Sequence, residues 1–199
     1  MASSSASGPP VLVVTGQSGA GKGTLIKRLL EEFPQLELAV SATTRPQRPG
    51  EVDRVHYYFV SPEEFEQRVA EGEFLEYHVF PWGQRSGTLF SEITRIAASG
   101  RVCVLELETE GALNVAERLP EAVTIFVTAP LEELERRLRE RATESAGEIH
   151  ERLAVARKQL GVADRFDHRI ENDDLDRAFT ELAGVVRRAL TPAATIPRR

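Results

Sequence analysis

The sequence predicts an α/β sandwich of three layers, with a central parallel sheet between two layers of helices. Two observations carry that prediction. Three near-continuous apolar runs, VLVVT (11–15), VCVLEL (102–107) and AVTIFV (122–127), suit strands buried on both faces. Segments with helical spacing and helical punctuation lie between and after them, and strands alternating with helices build a layered sandwich.

Each element follows from local signals. VLVVT runs into a glycine-rich turn and then LIKRLLEEF (25–33), a helix start. Residues 41–99 break the rhythm. They open with a Pro- and Arg-rich loop, TTRPQRPGEV, followed by YYFV and then S-P-E-E at 61–64. There Ser61 reads as an N-cap, Pro62 as the first helical residue and Glu64 as the capping-box partner of a short helix ending at Gly72. FLEYHVF (74–80) alternates like a strand, so the span reads as an inserted lobe with its own small sheet. Further helices are expected from Ser91 to Ser99, ahead of Gly100, and at ALNVAERL (112–119), ahead of Pro120. LEELERRLRERA (131–142) follows Pro130 and places Leu131, Leu134 and Leu138 on one face. FDHRI (166–170) and NDDLDRAFTELAGVVRRAL (172–190), opened by Asn or Asp as N-cap, form the last pair. The expected division is a core of 9–40, 100–140 and 163–190, an inserted lobe at 41–99 and a helical lid at 141–162. The tails 1–8 and 191–199 are expected to be disordered.

The bulk properties narrow the function classes. At 199 residues and 41% hydrophobic the chain can bury one full core. A net charge of −6 argues against a nucleic-acid surface, which needs a basic face. No apolar stretch approaches the roughly 18 residues of a membrane span, and MASSSASGPP lacks the pattern of a secretory signal. The single cysteine, Cys103, sits in an apolar run and reads as a small buried hydrophobe. The expected setting is the cytoplasm, as a monomer or homodimer.

Residues 16–24 read GQSGAGKGT between the first apolar run and the first helix, close to the phosphate-binding loop G-x-x-x-x-G-K-[ST]. A strand, a glycine-rich turn and a helix start aim backbone N–H groups and the positive helix end at one anion. Gly16, Gly19 and Gly21 permit the turn, Gln17, Ser18 and Ala20 complete it, and Lys22 reaches the terminal phosphates of a nucleotide. The fold thereby reads as a three-layer P-loop NTPase sandwich. One position departs from the motif: Gly23 stands where a hydroxyl would reach magnesium. Thr24 is the nearest replacement, and Glu106 or Glu108, at a strand end, can supply a carboxylate. The form G-K-G-T is that of adenylate-kinase-like nucleotide monophosphate kinases.

With SATTRPQRPGEV (41–52), and YYFV, EGEFLE, RSGT and NDDLDRA after it, the chain resembles guanylate kinase from about Val11 to Val186. The resemblance implies ATP and GMP as substrates, dGMP as a further acceptor, and Mg2+ as cofactor. Two arginines three apart on a stiff loop suit one phosphate, since guanidinium forks match its oxygens. In the resemblance these are Arg45 and Arg48, aided by Tyr57. Guanine offers N1–H and N2–H donors beside an O6 acceptor, and adenine reverses that pattern. By resemblance the matching carboxylate is Glu76 and the hydroxyls are Ser41 and Thr88; without it, Glu76 reads as a solvent-facing strand residue.

Three departures from the family pattern stand out. The family's Tyr-Gly-Thr/Ser step is RSGT here (85–88), and Arg85 is the expected substitute for the phosphate-binding tyrosine. Its Asp-x-Asp-x-Gln-Gly is Glu106-Leu107-Glu108-Thr109-Glu110-Gly111, with Glu108 expected near the guanine and Glu106 near the metal. In RRLRERATE (136–144), Ala142 replaces a glycine. Arg137, Arg141 and Arg152 correspond to arginines that close over the triphosphate, and Asn172 resembles a residue on the adenine side. Lys22 and these arginines are the expected transition-state stabilisers. The four histidines have no partner motif and read as surface or packing residues. The competing reading is a non-catalytic module of the same shape that binds protein partners; the retained Gly16, Gly21 and Lys22 favour the enzyme.

Overall fold

A computed structural model describes residues 10–80, 82–140 and 146–191. The tails expected at 1–8 and beyond Thr191, together with Arg141 and Ala142, lie outside the described residues.

The central sheet contains β1 (Leu12–Gly16), β2 (Leu36–Leu38), β7 (Val102–Glu106), β8 (Val123–Thr128) and β9 (His168–Glu171), in the order β2-β7-β1-β8-β9. Every pairing is parallel, with Leu12 beside both Val104 and Val123. The apolar runs fill it because side chains alternate to opposite faces. Leu12, Val14, Val104, Ile125 and Val127 meet α1 (Lys22–Glu32), α6 (Ala146–Leu160) and α7 (Leu175–Leu190) on one face. Val13, Leu105 and Phe126 meet α3 (Phe90–Ala98) and α4 (Thr109–Arg118) on the other. Cys103 is buried in this sheet, and its thiol is pushed up to about 12, chiefly by that burial.

The second sheet is mixed and has the order β4-β3-β6-β5, from β3 (Ala42–Thr43), β4 (Tyr58–Phe59), β5 (Phe74–Val79) and β6 (Arg85–Leu89). Helix α2 (Pro62–Ala70) covers one face, with Phe65 stacked on Phe74 at 4.4 Å between ring centres. Its N-cap is Ser61, whose hydroxyl accepts from the Glu64 amide at 3.1 Å. The other face looks toward the central sheet.

Two differences from the sequence reading have a common cause. The edge strand β2 and the strand β3 were not anticipated, because three and two residues are too few to show a period. The last helix begins at Leu175, capped by Asp174, whose carboxylate accepts from the Arg177 amide at 2.8 Å. Helix α5 (Leu131–Glu140) packs with α6, and Leu134, Leu153 and Ala156 join the main core. The described part of the lid segment is therefore docked on the sandwich.

Candidate active site

The phosphate loop crosses the carboxyl end of β1. Gly16 adopts φ 141° and lies so close over β8 that any Cβ would overlap the Val127 carbonyl. Gly21, at φ 85°, is the N-cap of α1, and a Cβ there would come 2.5 Å from the Asn172 amide nitrogen. Both positions therefore require glycine. Gly23 differs: nothing lies within 4 Å of where its Cβ would be. The missing hydroxyl is not a steric necessity. Thr24 is exposed in the first turn of α1.

Side chains distant in sequence brace this loop. Gln17 is fully buried; its amide donates to Ala156 O at 3.1 Å. Its carbonyl accepts from the Thr128 hydroxyl at 2.5 Å and the Ala129 amide at 2.9 Å. The Ser18 amide donates to Gln159 Oε1 at 3.1 Å, so α6 holds the loop at two points. Asn172 Nδ2 donates to Ala20 O at 2.7 Å, and its Oδ1 is buried without a partner among the described residues. Arg137 donates to Asn172 O at 2.9 Å and, more weakly, to Ala20 O at 3.5 Å. Glu133 fixes it from 2.6 Å and also binds Arg136, and these guanidinium contacts hold the Glu133 carboxyl down at about 2. Arg137 thus sits on the loop, while Arg152 is an exposed residue of α6.

Lys22 closes the loop. Its ammonium donates to Gly16 O at 3.0 Å and Gln17 O at 3.1 Å. Burial pulls its pKa down, and the nearby carboxylates of Glu108 and Glu106 partly oppose that. Desolvation in the cleft raises the Glu106 carboxyl, again against the pull of Lys22. Glu106 ends β7 and Glu108 is the N-cap residue of α4, so the phosphate loop faces two carboxylates. Among the described residues no cluster of three or more His, Cys, Asp or Glu could enclose a metal. Mg2+ does not need one: it commonly uses one or two carboxylates with phosphate oxygens and water. The donor set of Glu106 and Glu108 fits that pattern.

The space between the sheets is a cleft of about 300 Å³, lined by Lys22, Glu106 and Glu108 on the core side. On the lobe side it is lined by Ser41, His56, Tyr57, Glu76, His78, Phe80 and Ser86. Glu76 is 8% exposed, not solvent-facing. Its Oε1 accepts from the Thr88 amide at 3.1 Å and from the Thr88 hydroxyl at 3.0 Å. Its Oε2 lies where a Cβ on Gly111 would come within 2.5 Å, so that glycine admits the carboxylate to the core. Burial raises the Glu76 carboxyl; the Thr88 donors and His78 pull it down, and Glu108 adds to the rise. The Thr88 hydroxyl, expected to face guanine O6, donates to Glu76 here, because a buried carboxylate needs donors.

Arg45 and Arg48 come together around one acid the sequence reading did not single out. Glu51 takes the Arg45 fork at 2.7 and 2.9 Å and the Arg48 amide at 2.8 Å. These bonds hold its carboxyl down at about 2. The Arg45 guanidinium lies over Tyr57 at 5.0 Å and Phe59 at 5.7 Å. The signal available was the spacing: Glu51 follows Arg48 by three residues across a turn at Gly50, whose φ is 86°.

Arg85 departs from expectation. Its guanidinium donates to Glu66 of α2 at 2.6 Å, on the covered face of the lobe sheet. Strand alternation turns Arg85 and Gly87 toward α2 and leaves Ser86 on the cleft. Sequence reading also missed the Glu92 network. That buried acid accepts from the Val40 amide, the Tyr58 hydroxyl and Arg95, which together hold its carboxyl low against the cost of burial. It ties the lobe to α3 where the chain leaves the core.

A family description, "Guanylate kinase", matches residues 9–189. The chain belongs to the guanylate kinase family. The guanylate kinase of Synechococcus elongatus is 48% identical over 177 residues, covering 88% of this chain and 96% of that protein. That of Rubrobacter xylanophilus is 46% identical over 183 residues, covering 89% and 93%. The crystal structure of guanylate kinase from Anaplasma phagocytophilum superposes with a TM-score of 0.73 at 26% identity, covering 94% of this chain and 88% of that one.

Proposed function

We infer that the chain is an ATP:GMP phosphotransferase, moving the γ-phosphoryl group of ATP to GMP to give ADP and GDP in purine nucleotide metabolism. One observation carries this reading. A single cleft has a phosphate loop with Lys22 at one side and a buried acceptor carboxylate, Glu76, at the other. Glu76 suits the paired N1–H and N2–H donors of guanine, with Ser41 and Thr88 beside it. Adenine would put a lone pair against the carboxylate, a mismatch of the kind that costs several powers of ten in selectivity.

In the proposed reaction the Gly16–Thr24 loop binds the ATP phosphates, and Asn172 backs it from the adenine side. Arg45, Arg48 and Tyr57 hold the GMP phosphate, with Glu108 near the base. An oxygen of that phosphate attacks the γ-phosphorus; the new O–P bond forms as the bond to the β-phosphate oxygen breaks, and ADP leaves. The protein supplies no nucleophile. Lys22, Arg137, Arg141 and Arg152 are proposed to balance the charge that spreads over the moving group. Lys22 would exchange its loop carbonyls for phosphate oxygens. Mg2+, which when bound neutralises and orients the phosphates, would be held by Glu106 and the Thr24 hydroxyl. The chain is proposed to act in the cytoplasm as a monomer or homodimer, free of nucleic acid. No helix among the described residues is long and apolar enough to cross a membrane.

The test is an ADP-release assay with GMP, dGMP, AMP, CMP and UMP as acceptors. GMP is expected to be preferred, with dGMP accepted. Equal turnover with AMP would remove the guanine assignment, and no GDP from bound ATP and GMP would remove the enzyme reading.

A further inference from the structure

The cleft face of the lobe sheet carries its polar side chains in rows, because alternate residues share a face and paired residues sit side by side. In the first row, Glu76 pairs with Thr88, with Ser41 one residue before the Ala42–Gly87 pair. This row holds every group assigned above to the guanine edge except Glu108. In the second row, Thr43 pairs with Ser86, and Ser86 pairs with His78. The second row lies about 7 Å further along the strands, at roughly 3.3 Å per residue. It borders the loop that carries Arg45, whose amide is bonded to the Thr43 hydroxyl at 3.2 Å.

Within that second row, two side chains are already committed. Thr43 donates to Arg85 O at 3.0 Å, and Ser86 donates to Ala42 O at 3.2 Å. Arg85 is turned away, on Glu66. His78 remains. Its ring lies edge-on to Phe80 at 4.7 Å, and Nδ1 comes 4.0 Å from Glu110 Oε2, an exposed acid in the first turn of α4. Those contacts flank the ring, and neither nitrogen makes a hydrogen bond among the described residues. Glu76, Glu106 and Glu108 line the same cleft, so a phosphate entering it needs cationic donors on its own side.

We propose that His78 binds the phosphate of the acceptor nucleotide, held in position by Glu110 across the cleft and by Phe80 beside it. This rests on the GMP-kinase reading and replaces Arg85 in that role. It also gives Glu110, an acid with no other function in the site, a purpose as the group that orients His78.

Steady-state kinetics on the full chain, with GMP varied at saturating ATP, tests it. His78→Ala is expected to raise the KM for GMP about ten-fold, the scale of one lost charge-assisted hydrogen bond, with kcat within about twofold. Guanosine, which lacks the phosphate, should inhibit the variant and the parent equally. Positions 78 and 86 are directly opposite, so Ser86→Tyr in the His78→Ala background should return a hydroxyl to the same space and restore most of the KM. His78→Leu, which keeps bulk but no donor, should behave as the alanine variant does, and it carries the test should alanine lower the melting temperature. An unchanged KM, recovery by leucine, or equal weakening of guanosine would each overturn the assignment. A parent protein that makes no GDP would instead overturn the reading beneath it.

Discussion

The two ends of the cleft are built differently. On the proposed ATP side, a backbone loop is fastened through its own buried Gln17, through Gln159 of α6 and through Asn172 after β9. On the proposed GMP side, the candidate groups are side chains that satisfy one another: Arg45 on Glu51, and Thr88 on Glu76. The first end is preorganised in its backbone, and only Lys22 must leave its loop carbonyls when phosphates arrive. The second must exchange internal partners for ligand. Donor affinity should therefore depend on the scaffold, and acceptor affinity on competing charges.

The largest expected effect tests whether the fastened loop does the chemistry. Lys22→Ala should lower kcat by about 10²–10³-fold, on the order of 3–4 kcal/mol, as for other lost charge-stabilising donors. Near-normal turnover at saturating substrates would separate the loop from catalysis.

Gln17→Ala tests the fastening itself. It leaves the Thr128 hydroxyl, the Ala129 amide and Ala156 O without their present partner. A loss of about 2–4 kcal/mol is expected, visible as a fall of roughly 5–10 °C in Tm by circular dichroism. The KM for ATP should rise more than that for GMP. An equal rise in both would erase the contrast between the two ends.

A pH series sharpens the comparison on the acceptor side. In the proposed reading Glu76 must be ionised to accept two N–H groups, and its carboxyl is raised by burial. The KM for GMP should be low at alkaline pH and climb as the pH falls through that raised value, while the KM for ATP stays flatter. In stability terms the sign is opposite: the folded chain binds this proton more tightly than the unfolded one. The Glu76 contribution is present below the unfolded pKa and lost as pH rises through the folded one. Glu51 behaves oppositely. With its carboxyl held at about 2, its contribution is present above the ordinary carboxylate range and lost only as the pH falls toward 2. The Arg45 pair is therefore intact wherever the enzyme would be assayed.

The smallest effect concerns the unusual loop residue. Because the space around Gly23 is open, Gly23→Ser should change stability by no more than about 0.5 kcal/mol and kcat by less than twofold. A large gain in kcat would show that the missing hydroxyl limits this site.

How much of this was legible follows the same division. The phosphate loop is contiguous, so its strand, turn, lysine and helix could be read directly, as could the buried strands on either side. Its bracing was hidden because Gln17 and Ala156 lie 139 positions apart. On the acceptor side, the arginine loop and Glu76 were found through the family resemblance, since a lone carboxylate on a strand has no signature of its own. Arg85 was misplaced for a reason visible in retrospect. Positions 86 and 88 share a face, and with Thr88 on the cleft, residue 85 had to point the other way. Glu51 escaped notice because an acid beside two arginines reads as ordinary solvation until their geometry is known.

Trp82 is the only tryptophan in the chain; it is 68% exposed and stacked at 5.0 Å on Phe80, which lines the acceptor cleft. The molecule thus carries its own optical reporter on one lobe alone. Emission excited at long ultraviolet wavelengths should change as GMP fills its end and stay nearly constant as ATP fills the other, so occupancy of the two ends can be followed separately without a dye.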